Sequence, residues 1–270
     1  MGQGLSVIVC TLNEADRIER MIRHVGFADE ILVVDCGSTD GTIERARAAG
    51  ARVEHQDWLG FSKQKNRAAE LAANDWVLSL DADEIVDEEL GAAIVAALAS
   101  GPDPRDAFLV DRRGDFLGEV LPNPQRAANR AANVRLYHRA HSRWDEEMEI
   151  HEMVRVEGTV RPLAGRLLHW NDLTIDQFVS MFSRYATTEA VEMYAAGKRT
   201  NGVEVLLRPV ARVGWLLIFR GAWRLRGRGL IYAGMRGLGD FVRFAKLWEM
   251  QQRGGPVEGE GDRPAWGRDA

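Results

Sequence analysis

Along its first 85 residues the chain alternates short apolar runs with amphipathic stretches. Leu5, Val7, Ile8, Val9 and Cys10 form the first run, and Ile31, Leu32, Val33 and Val34 the second. Val53 marks a short third, and Trp76, Val77, Leu78 and Leu80 a fourth. Runs of this length, apolar on both sides, are the signature of strands buried on both faces of a parallel sheet. Between them lie helical patterns. Ile18, Met21, Ile22 and Val25 recur at i, i+3, i+4 and i+7; a second helix runs from 42 to 49 and stops at Gly50; a third covers about 62–73. Strand–helix–strand repetition of this kind implies right-handed crossovers and an α/β fold with a mostly parallel sheet flanked by helices.

Each apolar run ends on a polar cluster: Thr11, Asn13 and Glu14 after the first, Asp35 after the second, Asp81 and Asp83 after the fourth. Ligands of open α/β sheets bind beyond the carboxyl ends of the strands, so three clusters in register are expected to converge on one rim. Two carboxylates two residues apart suit a hard divalent cation, Mg²⁺ or Mn²⁺, that leaves coordination positions for phosphate oxygens. Taken alone, a D-x-D is as well explained by a solvated turn at a helix start, where acidic residues are favoured. No G-x-G-x-x-G follows the first strand and there is no Walker lysine motif, so a diphosphate here would be neutralised chiefly by metal.

The later chain is read more sparsely. A helix is expected at 88–99, and Gly101, Pro102 and Pro104 then break the pattern. Strands are expected at 107–110, 133–138, 153–156 and 166–168. The polar stretch 114–132 between two of them is long enough to be functional or mobile. Thr174 opens a long helix with Ile175, Phe178, Met181, Phe182 and Tyr185 on one face, ending near Gly197. Residues 210–219 and 230–248 mix Trp, Phe and Leu with arginines, and 254–270 is rich in Gly, Pro and charge, the composition of a disordered tail.

Charge changes the picture of this second half. From 206 to 250 there are nine basic and two acidic residues, a balance of +7 in a chain of net charge −5, so the remainder carries −12. Arginine-rich amphipathic helices bearing Trp and Phe lie in a membrane interface, and an anionic membrane surface is the expected partner. Packing of these helices on the catalytic domain or on a second subunit is the alternative. No nucleic-acid reader motif accompanies the charge, and nucleic acid is not an expected partner. No apolar run reaches the ~18 residues needed to span a bilayer, and the run at 5–10 is too short for a signal-peptide core. Two cysteines, Cys10 and Cys36, form no disulfide framework and fit a reducing cytoplasm.

A resemblance sharpens these expectations. The segments Ser6-Val7-Ile8-Val9-Cys10-Thr11-Leu12-Asn13-Glu14, Val33-Val34-Asp35-Cys36-Gly37-Ser38-Thr39-Asp40-Gly41-Thr42 and Leu80-Asp81-Ala82-Asp83-Glu84 resemble family-2 glycosyltransferases of the GT-A fold. Gln56 to Phe61, Gln64-Lys65-Asn66, Val134 to Tyr137, His151-Glu152 and Ala245 to Glu249 are similar to the lipopolysaccharide-core branch that adds glucose to an inner-core heptose. The resemblance implies that Thr11, Asn13 and Glu14 line a nucleoside pocket, that Asp35 meets the uracil or ribose, and that Lys65 and Asn66 lie near the diphosphate or donor sugar. It further implies that Asp81 touches ribose or sugar and that Asp83 holds the metal. The stretch at 123–128 departs from these relatives, which are aromatic-rich there, and the departure falls on the acceptor side.

A sugar hydroxyl needs a general base, since an alcohol is a poor nucleophile while it keeps its proton. Asp145, Glu146, Glu147, Glu149 and Glu152 are the candidates. Glu152 is favoured because its pairing with His151 matches the family, and His151 itself is a third metal ligand or orients the carboxylate. Arg135 reads as a phosphate contact or a surface strand residue, and His169 as a core histidine or, alternatively, a group that approaches the site from the other side. The resulting organisation is a catalytic domain at 1–172, with a nucleotide-sugar half at 1–100 and an acceptor half at 101–172, a helical extension at 173–253, and a tail at 254–270.

The expected activity is inverting, metal-dependent transfer of a sugar, glucose from UDP-glucose, to a cell-envelope glycolipid such as the lipopolysaccharide inner core, by a peripheral protein on the cytoplasmic face of the membrane. A polyprenyl phosphate or other envelope glycan as acceptor is the first alternative. A membrane scaffold that binds nucleotide sugar without turnover is the second. Donor sugar and oligomeric state are left open by the sequence.

Overall fold

The computed structural model describes residues 3–122, 133–147, 153–170 and 174–257. The chain divides into two compact units, Met1–Gly114 with Pro124–Trp170, and Asp115–Asn123 with Asn171–Asp269.

The first unit is built on a sheet. Its strands are β1 (Leu5–Thr11), β2 (Glu30–Asp35), β3 (Arg52–His55), β4 (Trp76–Asp81), β5 (Glu84–Val86), β6 (Ala107–Phe116, whose last two residues enter the second unit), β8 (Val134–His138) and β11 (Val160–His169). The order across the sheet is β3-β2-β1-β4-β8-β6-β11-β5. β1 pairs in parallel with β2 and β4, β2 with β3, and β6 with β11; β8 and β5 run against their neighbours. The sheet is thus mostly parallel, in a mixed α/β unit. A separate antiparallel pair is formed by β9 (Ser142–Trp144) and β10 (Val154–Val156).

Alternation along β1 assigns its two faces. Val7 and Val9, with Val33, Leu78 and Leu80, pack under α1 (Ile18–Arg23), α2 (Thr42–Ala48) and α4 (Glu88–Ala99) through Ile18, Met21, Ile22, Ala46, Leu90 and Ile94. Ile8, with Leu32, Val34 and Val77, faces α3 (Phe61–Leu71), which meets the sheet with Ala68 and Ala69. Each fully buried Leu, Ile or Met in these layers contributes roughly 1.5–3 kcal/mol relative to exposure. The register then fixes the rim. Thr11 lies opposite Asp35, and Cys10 opposite Asp81, so the clusters ending β1, β2 and β4 share one edge of the sheet.

Three strands differ from the sequence expectation. β6 extends to residue 116 and β11 starts at 160, both far longer than the runs expected at 107–110 and 166–168. β11 is interrupted between Pro162 and Arg166, where Gly165 takes φ +84° against Leu90 of α4. The turn after Asp83 becomes the edge strand β5, capped by Asp87, whose carboxylate accepts from Leu90 N at 2.8 Å to start α4.

The second unit is helical, with a short strand β7 (Glu119–Val120) paired to the end of β6. Its helices are α5 (Ile175–Ala195), α6 (Gly202–Ile218) and α7 (Arg226–Arg253). Thr174 and Gln177 close a reciprocal cap on α5, and Asn201 caps α6. Phe244, Leu247 and Met250 of α7 are buried against Ala190, Val191 and Tyr194 of α5 and Val205 of α6. Phe244 and Leu247, expected to face a membrane interface, instead form the core of this unit, because α5 supplies an apolar face at matching spacing. No helix among the described residues is long and apolar enough to cross a membrane.

Candidate functional site

The rim of the first unit is organised by two loops that hydrogen-bond to each other. Asp35 is fully buried at the end of β2. One of its carboxylate oxygens accepts from the backbone N–H groups of Gly37 and Ser38, both at 2.8 Å. The other accepts from Thr11 Oγ1 at 3.0 Å and from the Ser38 hydroxyl. Asn13, in the left-handed region at φ 55°, donates its N–H to Ser38 Oγ at 2.8 Å, and its side-chain oxygen accepts from Thr39 N at 3.0 Å. Glu14 N donates to Thr42 Oγ1 at 2.8 Å, and Ala15 N to Asp40 at 3.0 Å. The segment after β1 is thereby fixed on the segment after β2. The bonds accepted by the Asp35 and Asp40 carboxylates have charged acceptors and are the stronger class among them. Gln64 ties in the next segment, donating to Cys36 Sγ and to Gln56 O, each at 3.2 Å.

Beside this frame sits a cluster of charges at the ends of β4, β8 and β11. Lys65 Nζ of α3 is 3.3 Å from one Asp81 oxygen, and Arg135 Nη2 of β8 is 3.8 Å from the other. Both cations lie over the Trp144 ring, at 4.5 Å and 5.5 Å from its centroid. Trp144, nearly fully buried, therefore acts as a platform that orients both. Glu84, fully buried, takes Arg135 Nη2 at 3.2 Å and Arg112 Nε on one oxygen, and the Asp81 N–H at 3.1 Å on the other. Partial burial alone would raise the Asp81 carboxyl, but Lys65, Arg135 and Arg112 outweigh it and hold it well below the usual carboxylate range.

Asp83 has a different partner. Its Oδ2 is 3.0 Å from His169 Nε2 at the end of β11, and both side chains keep 20% of their surface exposed. The backbone holds this pair in place: His169 is in register with Glu84, and Trp170 N donates to Asp83 O at 2.8 Å. Glu14 looks on from the first loop; burial pushes its carboxyl up, the Arg17 guanidinium at 3.0 Å opposes that, and the charge of Asp83 adds to it.

The structure thus brings Lys65, Asp81, Arg135 and Glu84 into one cluster, with the Asp83–His169 pair beside it. Asn66, one residue on from Lys65, faces elsewhere: its amide donates to Trp144 O at 3.0 Å and to Glu146 at 2.8 Å, and accepts from Trp144 N at 2.8 Å. Its polar atoms hold β9. Arg135 is 6% exposed and so is no surface residue, and His169 is no core histidine but the neighbour of Asp83. The sequence assigns no role to Glu84 or Arg112; Glu84 stands out there only by closing the segment that holds the acidic pair. His151 and Glu152, the expected metal ligand and base, lie outside the described residues.

A family model described as glycosyl transferase family 2 matches residues 6–154. A protein of Rhizobium meliloti (strain 1021) named lipopolysaccharide core biosynthesis glycosyltransferase LpsC is 30% identical over 251 residues, covering 91% of this chain and 92% of its own. An uncharacterized glycosyltransferase of Rickettsia bellii (strain RML369-C) is 28% identical over 262 residues, covering 94% and 89%. Among solved structures, TarS 1-349 of S. aureus aligns over 93% of this chain and 92% of that one, at 17% identity and a TM-score of 0.47.

Proposed function

The chain belongs to glycosyl transferase family 2, and from that footing we propose that it transfers glucose from UDP-glucose, with inversion, to a glycolipid of the cell envelope such as the lipopolysaccharide inner core, at the cytoplasmic face of the membrane. The observation that carries the donor half is the Asp83–His169 pair set beside an Asp81 kept ionised by Lys65 and Arg135. The name of the Rhizobium meliloti relative supports the acceptor.

The donor set fits a divalent cation. One carboxylate oxygen and one imidazole nitrogen, 3.0 Å apart and partly exposed, suit Mn²⁺ or Mg²⁺ and offer nothing to a metal that prefers thiolates. Among the described residues no group of three or more His, Cys, Asp or Glu surrounds a common point. Two protein donors, with the remaining positions filled by phosphate oxygens and water, is the usual arrangement for Mg²⁺ at nucleotide sites. A cation held there supplies positive charge against that building on the departing diphosphate.

The residues of the chain then divide the work. Asn13 and Glu14 line the nucleoside pocket, while Thr11, expected there from the sequence, is fully buried and spends its hydroxyl on Asp35 beneath it. Asp35 acts at one remove, because its oxygens are engaged by Thr11, Gly37 and Ser38 and so shape that pocket's loop. Asp81, fixed by two cations, meets the ribose or the sugar. Lys65 stands on the phosphate side, and Asn66 supports it by holding Trp144 in place. Glu152, paired in sequence with His151, takes the proton from the acceptor hydroxyl as it attacks the anomeric carbon, and a single displacement gives a β-linkage from an α-linked donor.

The test is UDP release from a panel of UDP-sugars, with and without Mn²⁺, on the wild type and on Asp83→Ala and His169→Ala. Metal-dependent hydrolysis of one donor, lost in both variants, is the expected result. Failure to bind any uridine nucleotide refutes the donor assignment. With the acceptor in hand, Glu152→Gln separates a hydroxyl acceptor, where the rate falls by about 10²-fold or more, from a phosphate acceptor, which needs little help from a base.

A further inference from the structure

In the helical unit, α6 has two unlike sides. Val205, Pro209, Val213 and Leu216 turn inward: Val205 packs on the α5–α7 core, and Val213 and the Pro209 carbonyl are the first atoms that a Cβ on Gly237 of α7 would meet. On the other side Val203, Leu206, Leu207, Val210 and Ile218 are 61–69% exposed. At 100° per residue these five fall in one stripe with Gly214 and Leu217, with no polar side chain among them. The stripe is about 22 Å long at 1.5 Å per residue. Beyond it in the chain come Phe219 and Trp223, 75% and 61% exposed. A single exposed leucine needs no explanation, but a contiguous apolar face of this size marks a surface that something covers.

Charge selects the cover. From 203 to 231 the chain carries six arginines (208, 212, 220, 224, 226 and 228) and one acidic residue, Glu204. Glu204 already faces Arg208 at 3.3 Å and accepts from Thr200 at 3.1 Å. Arg220 lies over the Trp215 ring at 5.2 Å and Arg224 over Trp223 at 5.6 Å, so the cationic heads border the aromatic end of the stripe. A second copy meeting this face would bring arginines to arginines. An anionic phospholipid offers acyl chain to the stripe and phosphate to the guanidinium groups. No helix among the described residues is long and apolar enough to span the bilayer, and an arginine-bordered apolar stripe of this kind suits an in-plane position.

We propose that the outer face of α6, together with Phe219 and Trp223, lies in the acyl–headgroup boundary of an anionic phospholipid leaflet, with Arg220, Arg224 and Arg226 on lipid phosphates. The proposal builds on the reading that the acceptor is a membrane glycolipid, and names the surface by which the enzyme reaches it. It also moves that surface off the face of α7 carrying Phe244 and Leu247, which the unit buries.

The full chain is mixed with vesicles of phosphatidylcholine, with and without phosphatidylglycerol, and sedimented. The wild type is expected to sediment with the anionic vesicles, less so as salt rises. The pair Leu207→Glu and Ile218→Glu, both at exposed positions, is expected to weaken binding by about 100-fold. Arg220→Gln with Arg224→Gln is expected to weaken it by about fivefold per arginine. Should the glutamate pair not fold, quenching of wild-type tryptophan fluorescence by brominated lipid, reduced in Trp223→Phe, reads the same contact. Wild-type protein that ignores anionic vesicles overturns the proposal, as does a glutamate pair that binds like the wild type. So does a wild-type dimer that the glutamate pair dissociates and that never binds lipid. Uridine-nucleotide binding and UDP release on the same samples keep the two readings apart. Vesicle binding without uridine-nucleotide binding removes the donor assignment and leaves this surface; UDP release without vesicle binding removes this surface alone.

Discussion

Asn66 tests whether the polar residues of α3 meet the donor or hold the scaffold. Its side chain makes three hydrogen bonds of 2.8–3.0 Å, two of them to the backbone N–H and C=O of Trp144, which is 1% exposed. Asn66→Ala removes all three. Glu146 is partly exposed and regains water, but the two Trp144 groups are left buried without these partners, at about 1–3 kcal/mol each. A total of about 3 kcal/mol corresponds to a fall in Tm of about 6–12 °C for a unit of this size. Thermal unfolding followed by circular dichroism measures it. Because Trp144 underlies Lys65 and Arg135, the variant is also expected to lose kcat below its transition. A Tm within 2 °C of wild type combined with a raised KM for the nucleotide sugar would refute the reasoning and put Asn66 on the donor.

Calorimetry with UDP is expected to show affinity that rises at least about tenfold with Mn²⁺, a coupling of the usual size, and neither Asp83→Ala nor His169→Ala is expected to keep it. Equal UDP affinity with and without metal in the wild type would count against the metal pair. Burial, with help from Asp35 and Asp57, pushes the Cys36 thiol up to about 12. At pH 8 its thiolate is therefore about 10⁻⁴ of the total, against about a quarter for an ordinary thiol, and peptide-resolved iodoacetamide labelling should be at least about 10²-fold slower in the folded protein than after denaturation. Labelling at the denatured rate would show that the pocket around Cys36 is open. A Cβ on Gly165 would lie 2.1 Å from Leu90 N, at φ +84°; Gly165→Ala is expected to destabilise the first unit by about 2–5 kcal/mol through strain and overpacking, read as a lower denaturant midpoint. An unchanged midpoint would mean that the break in β11 adapts freely.

How much of this could be read from the sequence depended on how local the cause was. β1, β2 and β4 are continuous apolar runs because both faces of each are covered, and runs of that kind are legible without partners. β11 is not: all of its length but Leu167 is exposed or half-exposed, it holds Arg161, Pro162 and Arg166, and its register shifts between Pro162 and Arg166, so neither alternation nor a run survives. The Asp83–His169 pair joins positions 86 residues apart through the β11–β5 pairing, and β5 is three residues long. No spacing rule reaches that far. Asp35 and Asn66 show a subtler gap. Residue type marks them as ready to bind something, but whether that something is a ligand or the neighbouring backbone depends on the path of the loop. The same holds for apolar stripes: the stripe of α7 packs on α5, the outer stripe of α6 stays exposed among the described residues, and periodicity is alike in both.

The charge cluster offers a physical reason for the coupling expected between metal and nucleotide. Lys65, Arg112 and Arg135 bring three positive charges; Asp81, Glu84 and Asp83 bring three negative ones, each within 3.8 Å of a cationic or imidazole partner. The cluster is therefore close to neutral when empty of ligand. A diphosphate arriving alone must compete with Asp81 and Glu84 for Lys65, Arg112 and Arg135, and a cation arriving alone finds one carboxylate and one imidazole. Arriving together they nearly cancel, and each is the better bound for the other. Glu84 sets the balance: buried and acceptor-only, it holds two arginines that would otherwise tip the rim toward free phosphate. On this account Glu84 is expected to keep the proposed site selective for a metal-bound nucleotide over a bare anion.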